Sequence, residues 1–208
     1  MLAIIGSYRR DTYLHACLSS LTRHVSGIDS VIVVDDSGDS GHRMNLTARN
    51  IPWVAVAPDN AGYAAAMSVV FKVAADHGGE HVLFVEEDFQ FISDLDVEAW
   101  ASQLDSHPHL AQIVAMRQPW FANEVAAGGV LEALDGPREL VDGFIEHRLF
   151  FSGNPTVLPR RTFAKPWPSG RWSENQFAAQ LKQDPQIRFA ITPSILVEHV
   201  GERSGHGY

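Results

Sequence analysis

Short apolar runs alternate with helical patterns through the first hundred residues. The apolar runs predict buried strands over residues 2–5, 30–34, 52–56 and 81–85. Apolar side chains three or four residues apart predict one helix that Asp11 caps and another over residues 61–77, which ends at Gly78-Gly79. Strands that are apolar throughout are typical of a parallel sheet with helices on both faces.

The pattern is less regular in the second hundred residues. It predicts helices over residues 98–104 and 173–182, the latter capped by Ser173, and strands over residues 112–116, 187–191 and 194–197. A strand over residues 149–158 is interrupted by Ser152-Gly153-Asn154-Pro155, and residues 117–147 have weak periodicity. We therefore expect one mixed α/β domain over residues 1–208, with a regular half (1–100) and a less regular half (101–208).

Polar residues follow each of the four predicted strands of the first half. These tips are Tyr8-Arg9-Arg10, Asp35-Asp36-Ser37, Asp59-Asn60 and Glu86-Glu87-Asp88. Ligands of open parallel sheets bind beyond the carboxyl ends of the strands. The four tips therefore predict a binding site at one edge of the sheet.

The run Glu86-Glu87-Asp88 is the sharpest chemical feature of the sequence. Adjacent carboxylates at the end of a buried strand repel one another and lose hydration, and a divalent cation with oxygen ligands relieves that cost. Neighbouring side chains of a strand point to opposite faces, so at most two of the three are expected to face one site. A solvated acidic turn explains the run about equally well.

Other candidate residues have a structural alternative as well. Asp35 and Asp36 are consistent with binding of a nucleotide, with the acid pair of a phosphoacceptor receiver domain, or with a simple turn or helix cap. A receiver domain needs a Lys on a later strand, and residues 108–158 contain none. Glu174 is either a general base or a carboxylate that complements a helix dipole, and a lone His199 is more often structural than a ligand.

Composition narrows the class of protein further. The 208 residues carry 16 Lys and Arg against 25 Asp and Glu, a formal net charge of −9, which argues against affinity based on nucleic-acid phosphates or anionic lipid. The single cysteine, Cys17, excludes an intrachain disulfide and a Cys₂His₂ zinc cluster. No segment approaches the roughly 20 apolar residues of a membrane span. Charges directly after residues 1–6 do not fit a signal peptide, so we expect a cytoplasmic protein.

Several segments, in sequence order, resemble nucleotide-sugar-dependent glycosyltransferases of the GT-A fold, especially family 2-like enzymes. In the first half these segments are Ser7-Tyr8-Arg9-Arg10-Asp11-x-Tyr13-Leu14, Val33-Val34-Asp35-Asp36-Ser37, Asn60-Ala61-Gly62-Tyr63-x-x-Ala66 and Val85-Glu86-Glu87-Asp88-Phe89. In the second half they are Ser173-Glu174-Asn175-x-Phe177 and Val197-x-His199-x-Gly201-x-x-Ser204. Arg9 stands where the family has Asn, and Asn175 where it has Asp.

The resemblance implies a single GT-A domain in which residues 1–100 bind the nucleotide sugar and residues 101–208 bind the acceptor. It also implies a metal-dependent transfer of sugar from a nucleoside-diphosphate sugar to an acceptor hydroxyl, with inversion. It implies Mn²⁺ or Mg²⁺ held first by Asp88, with Glu86 and His199 next, and Glu174 as the general base. The implied donor-binding residues are Ser7, Tyr8, Arg10, Asp35, Asp36, Asn60, Gly62, Glu86 and Glu87. Of these, Asp35 and Asp36 are implied to bind the base and ribose, Arg10 the base or diphosphate, and Glu87 the ribose or, through water, the metal.

The acceptor and several alternatives stay open at this point. A glycan, a protein, a lipid headgroup, a small molecule or a modified nucleic-acid base are all compatible acceptors, although the net acidity disfavours the last. A receiver-type signalling domain and a catalytically inactive nucleotide-binding module are the alternative functions. A sugar-1-phosphate nucleotidyltransferase needs a Gly-rich basic loop after the first strand, and Gly6-Ser7-Tyr8-Arg9-Arg10 is too short for one.

Overall fold

The structure, a computed structural model, describes residues 1–201. In the first half of the chain the elements are β1 (Leu2–Ser7), α1 (Asp11–His24), β2 (Val25–Ser26), β3 (Ser30–Asp35), α2 (Ser40–Ala48), β4 (Trp53–Ala55), α3 (Tyr63–His77), β5 (His81–Glu86), β6 (Phe89–Phe91), β7 (Leu95–Asp96) and α4 (Val97–Ser106). The second half contains β8 (Leu110–Arg117), α5 (Ala122–Ala127), β9 (Arg138–Val141), β10 (Phe144–His147), β11 (Thr156–Pro159), α6 (Arg160–Phe163), α7 (Ser173–Leu181) and β12 (Arg188–His199).

One sheet of ten strands runs through both halves of the described chain. Its order is β4-β3-β1-β5-β11-β8-β12-β10-β9, and β6 pairs with the far end of β12. The adjacent strands β4, β3, β1 and β5 are mutually parallel, and so is the pair β8–β12. β11 lies antiparallel between β5 and β8 and so joins the two parallel parts. The predicted α/β fold with a mostly parallel central sheet is confirmed.

Both faces of the sheet are covered, as the apolar strands predict. Alternate residues of β1 point to opposite sides, since Ala3 and Ile5 belong to one buried cluster and Ile4 to another. The first cluster includes the buried face of α1 and residues of α4, whereas the second includes α3 and α7. The helices on the two faces hold the sheet between them and so fix the strand ends at which the candidate site lies.

Most differences from the expected elements are in the second half. The predicted strands over residues 187–191 and 194–197 are one strand, β12, because the chain passes Pro193 with a register shift against β8 rather than a break. Of residues 149–158 only the last three, 156–158, lie in a strand, which is β11 (Thr156–Pro159). The main chain of Ser152 leaves the sheet and pairs with the side chain of Gln112 instead.

Helix boundaries account for the remaining corrections. Helix α2 was not predicted, since its buried side chains are only His42 and Leu46, and it is recognisable by the Asp39 cap, whose carboxylate accepts from the amides of residues 41 and 42. Ser173 is the first residue of α7 rather than its cap, which is Trp172 in a left-handed conformation (φ 59°). Asp11 is likewise the first residue of α1, not its cap.

None of the helices in residues 1–201 is both long and apolar enough to cross a membrane.

Candidate functional site

A cavity of about 1050 Å³ opens at the carboxyl ends of β1, β3 and β5. Its wall contains seven of the nine expected donor-binding residues, namely Ser7, Tyr8, Arg10, Asp36, Asn60, Gly62 and Glu86. The cavity lies at the edge where parallel strands are expected to place a ligand. Asp35 and Glu87, the other two, do not line it and are buried behind its wall.

Asp36 holds the loop that forms one side of this cavity. Its two carboxylate oxygens accept hydrogen bonds from the amides of Ala61 and Gly62, at 2.8 and 2.9 Å. Gly62 has a φ of 84°, a conformation that favours glycine, and it directly precedes α3. Asp35 lies behind this contact with 0% exposure, where its carboxylate accepts from the Ser37 amide and, at 2.6 Å, from the Arg43 guanidinium.

Glu87 fixes the polar segment after β1. Its Oε1 accepts from the Tyr8 amide and from Nε of Arg10, both at 2.8 Å, and its Oε2 accepts from the hydroxyl of Ser7 at 2.5 Å. The carboxylate is 1% exposed. Both of its oxygens are thus engaged within the chain, and the side chain aligns three groups of the cavity wall.

Asp88 and His199 come together although 111 residues separate them. Pairing of β12 with β6 brings His199 opposite Phe89, and Nε2 of the imidazole lies 3.3 Å from Oδ2 of Asp88. The same oxygen accepts from Arg10 at 2.9 Å. Burial raises the pKa of Asp88, but the hydrogen bond from His199 and the charge of Arg10 outweigh burial and hold the pKa below its usual value.

Two buried atoms at this point have no hydrogen-bond partner in the described structure. They are Oδ1 of Asp88 and Nδ1 of His199. Among residues 1–201 there is no cluster of three or more His, Cys, Asp and Glu side chains arranged to hold a metal. Two protein ligands together with substrate phosphate oxygens are nevertheless a usual arrangement for Mg²⁺, and an ionised carboxylate with an imidazole suits a divalent cation. The residues present therefore fit such an ion. Ser204, the last residue of the expected motif, lies outside the described residues.

Glu86 and Glu174 meet at the edge of the cavity, close to Gly153. The amide of Gly153 donates a hydrogen bond to Oε1 of Glu174, which lies in the first turn of α7. A side-chain carbon added at Gly153 would lie 2.9 Å from Oε1 of Glu86 and 2.8 Å from the hydroxyl of Tyr63. Tyr63 also forms a hydrogen bond with Glu86. The polar ends of Glu174, Glu86 and Tyr63 thus lie close to Gly153, which has no side chain.

The carboxyl groups of Glu86 and Glu174 both have raised pKa values. Loss of hydration on burial raises the pKa of Glu174 to about 7, against the lowering effect of the Gly153 amide. Burial, followed by the charges of Asp88 and Glu174, raises the pKa of Glu86 well above its usual value. A carboxyl group with a pKa near neutrality has the acidity expected of a general base.

A second cavity of about 350 Å³ adjoins the first. Tyr63 and Glu86 line both cavities, and Glu174 lines the second. The sequence singled out Glu174 but not Gly153 or Tyr63 as functional. The only hint of Gly153 is the Gly-Asn-Pro interruption of an apolar run.

Comparisons with known proteins find similarity in fold only. No protein-family profile matches the chain, and no curated protein sequence matches it. Crystal structures of S. aureus TarS residues 1–349 superpose with TM-scores of 0.62 without ligand and 0.63 in complex with UDP-GlcNAc. Identity is 15% and 14%, over 96% and 99% of this chain but only 60% and 59% of that one. A complex of the same TarS segment with UDP has 16% identity and a TM-score of 0.62. The chain thus spans about three fifths of TarS 1–349 and shares its fold, consistent with the GT-A fold that the sequence resemblance implies.

Proposed function

We propose that this chain is a glycosyltransferase that moves a sugar from a nucleoside-diphosphate sugar to an acceptor hydroxyl with inversion. The observation that carries the proposal is the contact between its two cavities. A large cavity at the strand ends and a smaller one that holds Glu174 share the wall formed by Tyr63 and Glu86. A transfer between two substrates needs two adjoining sites with the reacting atoms at their junction.

The larger cavity is the proposed donor site. Asp36 and the loop at Asn60 and Gly62 face the nucleoside, and Ser7, Tyr8 and Arg10 face the diphosphate. Asp35 and Glu87 act from behind the wall, because their oxygens hold Arg43 and Arg10 in place. The TarS complexes with UDP and UDP-GlcNAc support a donor of this class, since that protein has the same fold.

Positive charge near the leaving diphosphate is the main electrostatic requirement of the reaction. The Arg10 guanidinium lines the donor cavity and is held by Glu87 and Asp88. Asp88 and His199 are the proposed protein ligands of a divalent cation, Mn²⁺ or Mg²⁺, with Glu86 next to them. When bound there, such an ion neutralises charge on the diphosphate as a Lewis acid.

Glu174 is the proposed general base. Its carboxylate lies at the junction of the cavities, oriented by the Gly153 amide. There it takes the proton of the acceptor hydroxyl as the oxygen attacks the anomeric carbon from the face opposite the leaving group. Attack from that face gives inversion.

The experiment that tests the donor site is calorimetry with UDP, other nucleoside diphosphates and their sugars, each with and without Mn²⁺. We expect binding of at least one nucleotide sugar, weakened in Asp36→Ala because the loop at residues 61 and 62 loses its two hydrogen bonds. Asp29→Ala is the matched control, since this carboxylate contacts only the chain terminus among the described contacts. No nucleotide binding under any condition would favour a receiver domain instead, whereas binding without any transfer would favour an inactive nucleotide-binding module.

The metal is tested separately from turnover. Binding of Mn²⁺ in the presence of UDP, followed by electron paramagnetic resonance, is expected for the wild type and is expected to be lost in Asp88→Asn. Circular dichroism checks that the variant is folded. Equal Mn²⁺ binding by both proteins, or full transfer in excess chelator, would remove the metal from the proposal.

A further inference from the structure

The second cavity has the chemistry of a subsite for one class of acceptor. Its volume of about 350 Å³ is near the lower end of the usual range for small-molecule sites, about 300 to 1,000 Å³. That space suits a single ring-sized group. Glu174 lines this cavity, and Glu86 lines both this cavity and the donor cavity.

Carboxyl groups are the most numerous ionisable side chains in the described wall of this cavity. Three carboxylates, from Glu86, Glu124 and Glu174, are among the described residues that line it. Arg117 is the one Lys or Arg side chain in that described lining, and both of its terminal nitrogens are bonded to Glu124, at 2.7 and 2.8 Å. The pair is buried, so Arg117 is not available to neutralise a ligand. Among the described lining residues, no Lys or Arg side chain is therefore available to pair with a phosphorylated group that enters here.

Aromatic side chains also line the same cavity. Phe121 remains 59% exposed even though the guanidinium of Arg117 lies 5.5 Å from its ring centre. Trp120 and Phe150 line the cavity as well, and Trp120 packs edge-on against the imidazole of His199 with ring centres 4.3 Å apart. An exposed aromatic ring beside a polar cleft is a platform for a ring with an apolar face.

Hydrogen-bonding groups line the cavity as well. Asn154 and Asn175 supply amide oxygens and Glu174 supplies carboxylate oxygens as acceptors for hydroxyl groups. A sugar ring matches both the aromatic and the polar lining, because its C–H face is apolar and its edge carries hydroxyls. A planar base matches the aromatic lining, but within a nucleic acid it brings phosphates toward a chain of net charge −9.

We propose that this cavity binds an uncharged sugar ring of the acceptor, so that the product is a glycosylated glycan or glycoside. The inference rests on the proposed function and names its acceptor class. In the transfer, a lone pair of the acceptor hydroxyl forms the new bond to the anomeric carbon. The bond from that carbon to the diphosphate oxygen breaks with its electron pair on the diphosphate, and the hydroxyl proton goes to Glu174.

The test is an acceptor panel with matched neutral and anionic members. UDP-GlcNAc, or the donor that calorimetry identifies, is offered with methyl glycosides of common hexoses, with the corresponding hexose 6-phosphates, and with an oligonucleotide that carries a hydroxymethylated base. Mass spectrometry detects the product. We expect transfer to at least one methyl glycoside, with kcat/KM at least about tenfold above that of its phosphorylated counterpart.

Variants of the aromatic platform test the same point independently. Phe121→Ala is expected to raise KM for the glycoside about tenfold through loss of ring stacking, with a smaller effect on kcat. Phe121→Trp keeps an aromatic ring at this position, so its KM is expected to be near that of the wild type. Leu140→Ala, which alters an equally exposed apolar side chain on β9, is the matched control and should change neither constant.

Each contrary outcome has a distinct meaning. Equal or better transfer to hexose phosphates or to the oligonucleotide overturns the inference, and so does an unchanged KM in Phe121→Ala. Nucleotide-sugar binding without transfer to any glycoside also overturns it, while the proposed donor site stands. Absence of nucleotide binding overturns the proposed function, and this inference with it.

Discussion

Glu174 shows how the environment of one residue separates two roles that the sequence leaves open. A carboxylate in the first turn of a helix commonly complements the helix dipole. Here the carboxyl group also accepts from the Gly153 amide, which lies 21 positions earlier in the chain, and lines a cavity beside Glu86. That contact and the raised pKa favour a role in proton transfer.

Replacement of Glu174 by Gln distinguishes the two roles. Gln keeps the shape but does not accept a proton, so turnover is expected to fall by about 10²–10⁴-fold, the usual contribution of a positioned base. Nucleotide affinity should be nearly unchanged, because the donor cavity does not include this side chain. Normal turnover with a small loss of thermal stability would assign Glu174 to the helix dipole.

The pH dependence follows from the pKa of about 7 for Glu174, raised by burial from an ordinary value of 4.5. The ionised, basic form of Glu174 becomes more populated as pH rises through 7, so kcat should rise over pH 6 to 8.

The same pKa makes stability depend on pH. Between pH 4.5 and 7 the folded chain binds a proton that the unfolded chain releases. Stability from this group is therefore full below about pH 4.5 and is lost as pH rises through about 7. Glu86 also has a raised pKa and contributes to the same pH dependence. The wild type is therefore compared with Glu174→Gln, in which only the contribution of residue 174 is lost. The melting temperature of the wild type should fall more steeply from pH 5 to 8, and parallel curves would contradict this.

Gly153 allows a test of the junction without removal of a polar group. In Gly153→Ala the added methyl displaces the ends of the Tyr63 and Glu86 side chains, which lie 2.8 and 2.9 Å from its position. Side-chain ends move at little cost, so the fold should persist, whereas misplacement of reacting groups by about 1 Å can cost 10²-fold in rate. Turnover should fall at least tenfold. Gly79→Ala, whose methyl meets no atom within 4 Å, is the control and should behave as the wild type.

At the scale of elements, β1, β3, β4 and β5 were predictable because each contains a continuous apolar run, and β1 and β5 are almost wholly buried. Their polar ends then located the candidate site. Helix α2 was not predictable from periodicity, since it buries only two side chains. The sequence predicted β12 as two strands because a proline such as Pro193 commonly marks the end of a strand. The contact between Asp88 and His199 depends on pairing of β6 with β12, which no local pattern encodes.

Helix α4 offers a prediction about stability alone. Asp96 precedes it and accepts from the amides of Glu98 and Ala99, at 3.0 and 3.4 Å. Asp96→Ala leaves these amides without their acceptor and should lower the free energy of unfolding by about 0.5–2 kcal/mol. Asp96→Asn should retain most of the stability. Chemical denaturation measures both, and equal stability of the alanine variant and the wild type would contradict the cap.

At the scale of the whole molecule, the two halves distinguished in the sequence share a single sheet. β11 of the second half lies directly beside β5 of the first, whose end carries Glu86. The sequence predicted the α/β class correctly, but not this antiparallel insertion, because strand order depends on contacts between distant residues. The junction of the cavities is a product of that insertion, since Gly153 lies just before β11.

The buried carboxylate of Glu87 has a consequence for exchange of backbone hydrogens with deuterated solvent. Loop amides ordinarily exchange quickly because brief local opening exposes them. The Tyr8 amide lies beyond the end of β1, yet it donates to a carboxylate that also holds Ser7 and Arg10. Its exchange requires that the segment after β1 and the turn after β5 separate, so its protection should approach that of the β1 amides. In a mass-spectrometric exchange experiment, one edge of the donor cavity should thus behave as part of the sheet core before any nucleotide is added.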